Sequence, residues 1–312
     1  YIVAVSFPFL GIYNGGAALF RAVGNSKVSM KVSLVANLTN IAGNAILIYG
    51  AGIGVAGAAL STLFSRILSA LMIVVLLKRS DEITMSKNWR VDTNILGKIL
   101  YIGIPNGLEN SIFQLGKLLT TSLIATFGMV AITANAVTYS IANFQQIPSS
   151  AIGVAMITVI GQCIGAGETG QALAYLKKMV KMAYICMIVL GIPIILLARP
   201  LCSIYHLSTD TTNMTIILLV YNCICCMLVH PLSFAQSNAL RAAGDVKFTM
   251  IVAIGSMWIC RVGMAYILGL WAGLGVLGVW IAMTLDWCVR AVLFTYRVRT
   301  GKWLQYKDRL MK

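Results

Sequence analysis

Acidic side chains are nearly missing from this sequence. Asp and Glu number nine in 312 residues and His two. They are too scattered to form the carboxylate or imidazole clusters that a membrane enzyme such as a glycosyltransferase needs at an interface, so catalysis is not expected. No run of the form G-x-x-x-x-G-K-[ST] occurs, which excludes the phosphate-cradling loop of direct ATP hydrolysis. The eight cysteines lie mostly inside apolar blocks. The cluster Cys223 to Cys226 ("CICC") lacks a histidine or a second pair at ligand spacing, so these residues read as small packing groups, and neither a metal nor an organic cofactor is expected. Cys202 alone stands out as a thiol worth testing for reactivity. The opening block also lacks the basic leader of a cleavable signal, and the sequence starts at Tyr1 instead of Met.

Apolar residues fill the space that charge leaves. They make up 59% of the chain, charged residues 11%, and the mean hydropathy is +0.86. They fall into nine long blocks, near 1–20, 28–49, 53–77, 99–127, 130–161, 179–198, 213–237, 248–271 and 273–296. A hydrocarbon layer of ~30 Å takes about 20 apolar residues per helix, whereas a barrel strand shows only ~10 residues of alternation. The expectation is an all-α polytopic membrane protein with about nine transmembrane helices.

The net charge of +15 could suggest nucleic acid, but its placement argues otherwise. Of 24 Lys and Arg, 19 lie in alternate connections: Arg21, Lys27 and Lys31; Lys78, Arg79, Lys87, Arg90 and Lys98; Lys177, Lys178 and Lys181; Arg241 and Lys247; and the tail from Arg297 to Lys312. The opposite connections carry only Arg199. That asymmetry puts the basic loops and the C-terminus in the cytoplasm and makes anionic lipid headgroups, not nucleic acid, the expected partner.

One sentence is written twice. "FRAVGNSKVSM" (20–30) returns as "LRAAGDVKFTM" (240–250), and "GIGVAGAA" (52–59) returns as "GLGVLGVW" (273–280). Each pair flanks one helix and its Gly-rich turn, and the spacing implies six helices per repeat, an even number that preserves direction. The halves are therefore expected to be parallel repeats. The first copy has one helix before its loop and the second has four, so about 120 residues and three helices are expected to be lacking ahead of Tyr1. The expected parts are residues 1–80 as the last three helices of an incomplete N-terminal lobe, 81–97 as a cytoplasmic linker, 98–300 as a complete six-helix C-terminal lobe, and 301–312 as a basic cytoplasmic tail.

"LRAAGD" after a helix, "GLGVLG" at an outer turn and "IGQCIGAG" (160–167) after "QQIPSSAIGVA" (145–155) together resemble the multidrug and toxic compound extrusion (MATE) family, over essentially the whole chain from that family's fourth helix to its twelfth. The resemblance implies two six-helix lobes forming a V in the plasma membrane. It also implies alternating access and export of cationic or amphipathic small molecules by antiport against Na⁺ or H⁺. A monomer is expected. The related superfamily offers an alternative, a flippase for lipid-linked saccharides, which calls for a strongly cationic cavity. In this alignment the family's coupling Glu falls at Phe113, and the block 213–237 holds no acid, only Asn222, His230 and Gln236.

Charged groups at membrane depth are costly and face protein or water. The helix from Tyr101 carries Asn106, Glu109, Asn110, Gln114, Lys117, Thr120 and Thr121, which at 100° per residue fall within roughly 80° of one line. This stripe is expected to face a central cavity, with Pro105 in a harmless first turn. Glu109 is the leading carboxylate for proton or cation binding. It must be protonated, hydrated or paired, with Lys117 two turns away as one partner. On the next helix Asn135, Tyr139 and Gln146 share a face near Pro148, which permits a bend, and His230 has the chemistry of a proton relay or of a packed, bonded ring. Asp286 and Arg290, at i and i+4 with the acid first, are expected to form a structural ion pair. Arg66 and Arg261 have no acid on their own helices, so at least one of them is expected to pair with a carboxylate outside this sequence. Gly24 and Gly244 suit left-handed helix ends, Gly52, Gly54, Gly57, Gly273, Gly275 and Gly278 close backbone approach, and Arg21, Lys27, Arg241 and Lys247 headgroup anchoring.

Overall fold

The computed structural model describes residues 1–80, 83 and 92–306, and every regular element among them is helical. Nine long helices follow in order: α1 (Ile2–Ala22), α2 (Ser26–Gly50), α3 (Gly54–Lys78), α4 (Thr93–Ala125), α5 (Met129–Gly165), α6 (Thr169–Leu196), α7 (Thr209–Ala242), α8 (Val246–Trp271) and α9 (Gly275–Arg299). Eight of them are long and apolar enough to cross a membrane. The remaining one, α4, has 33 residues but is diluted by Lys98, Asn106, Glu109, Asn110, Gln114 and Lys117, the stripe that makes it interesting.

α4 starts earlier than its apolar block does. Asp92 caps it, with Oδ1 accepting from the backbone N–H groups of Asn94 (2.8 Å) and Ile95 (3.3 Å), which satisfies two of the donors a helix start leaves open. Pro105 is therefore a mid-helix residue and not a first-turn one. Its ring removes the bond to the carbonyl four residues back and leaves a local weak point in the helix.

The chain divides into two compact units, Tyr1–Val91 and Asp92–Lys312. Of the expected 81–97 linker, residues 81, 82 and 84–91 lie outside the described residues, as do the expected cytoplasmic cations Lys87, Arg90, Lys307, Arg309 and Lys312. The expected tail is partly structured. Lys302–Tyr306 form a 3-10 turn, and Trp303 is buried against Phe294 and Val298 of α9.

In the first unit, α3 buries Gly57, Ser61, Ser65, Ser69, Ile73 and Leu77, one residue per turn. Small residues on this line let backbones meet where apolar association gives no help in lipid. Ser61 Oγ donates to the Asn40 carbonyl of α2 (2.8 Å), and Ile73 lies against Gly16 of α1. Arg66 finds its partners on α1: it donates to Ser6 Oγ (2.7 Å) and lies 5.7 Å from the Phe7 ring centroid.

The repeat holds at the level of single bonds, each unit taken by itself. Gly24 and Gly244 adopt φ of +86° and +85°, and the following residues, Asn25 and Asp245, donate to the Phe20 and Leu240 carbonyls (2.8 and 3.0 Å), as in a Schellman end. α2 and α8 both finish in a π turn, Ala45–Gly50 and Ile267–Trp271. The expected close approach of six glycines is corrected here. Gly52, Gly54, Gly273 and Gly275 have positive φ and open space around them, so they serve the turn. Only Gly57 and Gly278 abut a neighbouring backbone, at Leu47 and Leu268.

In the second unit α5 is the central rod. It packs on α6 and α7 through Ile152, Met156, Ile160, Leu176 and Ala239, while Trp280, Met283 and Trp287 of α9 complete a second apolar cluster with Ala131 and Ala134. Between these clusters runs the polar interior.

Candidate functional site

A line of charged side chains crosses the second unit. Arg241, at the end of α7, donates through Nη2 to Glu109 Oε1 of α4 (2.5 Å) and through Nη1 to Asn238 Oδ1 (3.3 Å). Deeper in, Asp286 of α9 accepts from Arg290 Nε (2.8 Å), as the i, i+4 spacing foretold, and lies 3.9 Å from Arg261 of α8. Arg290 also donates to Ser256 Oγ (2.9 Å) and to the Ala253 carbonyl (3.0 Å). The Phe113 ring lies beneath both guanidinium groups, 5.4 Å from Arg261 and 5.5 Å from Arg290. Phe113 thus presents the negative face of an aromatic ring to both cations.

Three members of this line, Glu109, Arg241 and Arg290, wall a cavity of about 290 Å³ together with Asn110, Ser149 and Asn238. Glu109 Oε2 is buried and has no hydrogen-bond partner among the described residues. Three guanidinium groups (Arg241, Arg261 and Arg290) face two carboxylates (Glu109 and Asp286), so this interior carries one excess positive charge.

A second polar cluster lies further along α4. Thr121, Asn135, Tyr139 and Arg261 gather around a small void; Tyr139 Oη accepts from Arg261 Nη2 (3.1 Å), and its ring lies 5.0 Å from that of Trp280, tilted by 40°. Lys117 Nζ lies 5.4 Å from the Tyr139 ring centroid.

A family model described as MatE matches residues 105–267, just over half of the chain and all of it within the second unit. The chain belongs to the MatE family. A Bacillus subtilis (strain 168) protein described as the uncharacterized transporter YisQ is 30% identical over 298 residues, covering 93% of this chain and 65% of the relative. The probable multidrug resistance protein NorM of Thermotoga maritima is 25% identical over 310 residues, covering 96% and 65%. The MatE chain thus spans 65% of the length of these curated relatives. A crystal structure described as MATE in the bent conformation superposes with a TM-score of 0.86 at 22% identity, over 98% of this chain and 69% of that one, and so shares its fold.

Within this MatE chain the expected stripe on α4 divides. Glu109 and Thr120 are buried, Asn106 is half-buried, and Asn110, Gln114, Lys117 and Thr121 are exposed. The stripe therefore straddles the edge of the packed face. Two expectations are overturned by geometry. Glu109 pairs with Arg241 and not with Lys117, because Lys117 turns toward Tyr139. Arg241, expected at the headgroups, reaches inward to Glu109. Arg261 has its acid within the chain, Asp286, although on another helix.

Gln146 donates only weakly toward Cys226 Sγ (3.8 Å). Its neighbour Gln145 is fully buried and donates to the carbonyls of Met187 and Cys223 (3.2 and 3.3 Å). The core line of α5, through Thr138, Ile141, Gln145, Ser149, Ile152 and Met156, carries that signal in the sequence. His230 is a packed ring. Its Nδ1 lies 3.4 Å from Ser149 Oγ, and it stacks on Phe234 at 4.5 Å with Trp287 edge-on. Cys202 is fully buried and not a reactive surface thiol.

Proposed function

We propose that this chain serves secondary active export of amphipathic or cationic small molecules, exchanged against Na⁺ or H⁺ by alternating access, as a monomer in the plasma membrane with its C-terminus in the cytoplasm. Membership of a family whose relatives include a probable multidrug resistance protein supports the reading. The observation that carries it is Glu109, a carboxylate buried at the wall of a polar cavity with one oxygen unpaired. Such a group can take up a proton or a small cation when Arg241 moves aside, and a site that alternates between two charge partners is what ion-driven exchange requires.

Vesicles containing the purified chain, preloaded with a cationic fluorescent dye, should release dye when an inward Na⁺ or H⁺ gradient is imposed, and each gradient applied alone identifies the coupling ion. Glu109→Gln should lower the gradient-driven rate at least tenfold. Equal efflux from E109Q and the parent would remove Glu109 from the mechanism.

One observation favours a second reading, translocation of a lipid-linked saccharide. The excess positive charge contributed by Arg241, Arg261 and Arg290 suits a phosphate better than a cation. Gradient-independent flipping of a polyprenyl phosphosaccharide in the same vesicles, with no dye release, would select it.

A further inference from the structure

A groove between α6 and α9 carries a different chemistry from the polar core. It encloses about 380 Å³. Its walls are Leu176 and Val180 of α6, Leu232 of the π turn in α7, and Val298 of α9. Three polar residues also line it, yet they present hydrocarbon to it. Tyr184 Oη donates to the Leu228 carbonyl (3.0 Å), and Thr295 Oγ1 donates to Gln236 Oε1 (3.1 Å). With these hydroxyls and the Gln236 carbonyl oxygen engaged, the groove floor is largely apolar, as a lipid tail requires.

Cations interrupt this wall, with Leu173 and Leu176 on one side of Lys177 and Tyr184 beyond Lys181. Lys177 and Lys181, one turn apart on α6, and Arg299, the last residue of α9, line the groove. None of the three forms an ion pair among the described residues, and no Asp or Glu lines the groove. The Lys stems can lie along the apolar wall while their ammonium groups gather at its edge. An apolar groove edged by cations without an acidic partner among the described residues, in a helix bundle set in a bilayer, matches one occupant. A free anion would meet the cations and leave the apolar wall uncovered, whereas a lipid satisfies both.

We propose that this groove seats one acyl chain of an anionic phospholipid, whose phosphate is held among Lys177, Lys181 and Arg299. The site stands apart from the Glu109 cavity and does not depend on what is exported.

The test uses the full chain, purified and stripped of lipid in detergent. It is titrated with dioleoylphosphatidylglycerol or dioleoylphosphatidylcholine, and bound lipid is counted by native mass spectrometry. The anionic lipid should be retained preferentially. The triple variant K177Q/K181Q/R299Q, which changes only exposed side chains, should lose that preference at about fivefold per cation removed. Val180→Phe, which fills the slot and keeps the cations, should weaken retention of both lipids, and glycerol phosphate should not compete. The proposal is overturned if the triple variant retains phosphatidylglycerol as the parent does, or if the tailless anion displaces the lipid at equal concentration. The latter would make the cations a phosphate site only.

Discussion

Glu109 on α4 and Arg241 at the end of α7 form an ion pair at 2.5 Å, 132 residues apart in sequence. The pair clamps the most polar helix to the loop motif that the chain repeats, and it is one end of an interior with three cations and two acids. Removing either partner breaks the same contact, but the consequences differ. Arg241→Gln leaves two cations against two carboxylates. Glu109→Gln leaves three cations against Asp286 alone. A broken buried pair costs roughly 3–5 kcal/mol because of the charge left behind; the carboxylate left by R241Q can relieve its charge by taking up a proton, whereas the guanidinium left by E109Q cannot lose one. Thermal unfolding in detergent should thus rank E109Q as clearly less stable than R241Q. A double-mutant cycle should return a coupling of about 1 kcal/mol or more, and equal melting of the two single variants would argue against the charge bookkeeping.

Asp286 is fully buried and serves two guanidinium groups at unequal range. Asp286→Asn strands both Arg290 and Arg261 inside the bundle, so a loss of about 3–5 kcal/mol is expected. Arg261→Gln should cost less than Arg290→Gln, because Arg261 is held at 3.9 Å and its removal lowers the excess positive charge, whereas Arg290 also bonds Ser256 and the Ala253 carbonyl. Expression and melting temperature of the three variants check the order D286N, R290Q, R261Q from worst to mildest.

The fold was more legible in the sequence than the site, for a physical reason. Hydropathy and the positions of Gly24 and Gly244 are local properties, and they located the helices, the turns and the repeat without any knowledge of packing. Glu109 was visible too, because any carboxylate in an apolar block is conspicuous. Its partner was not. Arg241 sits in a basic loop, where electrostatics along the chain assign it to headgroups, and only the three-dimensional crossing of α4 and α7 turns it inward. Arg261 and Asp286 likewise lie on different helices, so spacing along either one is silent about the pair. Hydropathy counted α4 as the block 99–127 but set its start about six residues late, since Asn94 and Lys98 interrupt the apolar run there.

Gly57 and Gly278 occupy matching places in the two repeats, and both lie against a π-turn backbone. A methyl group on Gly278 would meet the carbonyl of Leu268 at 2.7 Å, while on Gly57 the nearest atoms of Leu47 are at 3.0–3.1 Å. Backbone cannot rotate away as a side chain can, so Gly278→Ala should cost about 2–3 kcal/mol by overpacking and Gly57→Ala about half of that. Ala at Gly273, where nothing lies within 4 Å, meets only the strain of φ +70°, roughly 1 kcal/mol. Urea or thermal unfolding that ranked G273A worst would contradict this account of the turn.

Trp303 tests whether the segment after α9 is part of the fold. It is 1% exposed and belongs to the cluster of Phe294, Val298, Leu240 and Ala243, so it covers the end of α9 beside the loop motif that holds Arg241. Beside it, Arg297 Nε donates to Asp245 Oδ2 of that motif at 2.7 Å, giving the corner an ionic tie as well as an apolar one. Trp303→Ala removes the indole from a packed site and should cost ~3–5 kcal/mol, and Arg297→Gln, which leaves the buried Asp245 carboxylate without this partner, should cost about 2–3 kcal/mol. Because the corner positions Arg241, W303A should also lower the Glu109–Arg241 coupling measured in the double-mutant cycle. A stable W303A protein with that coupling unchanged would show the segment to be a passive tail.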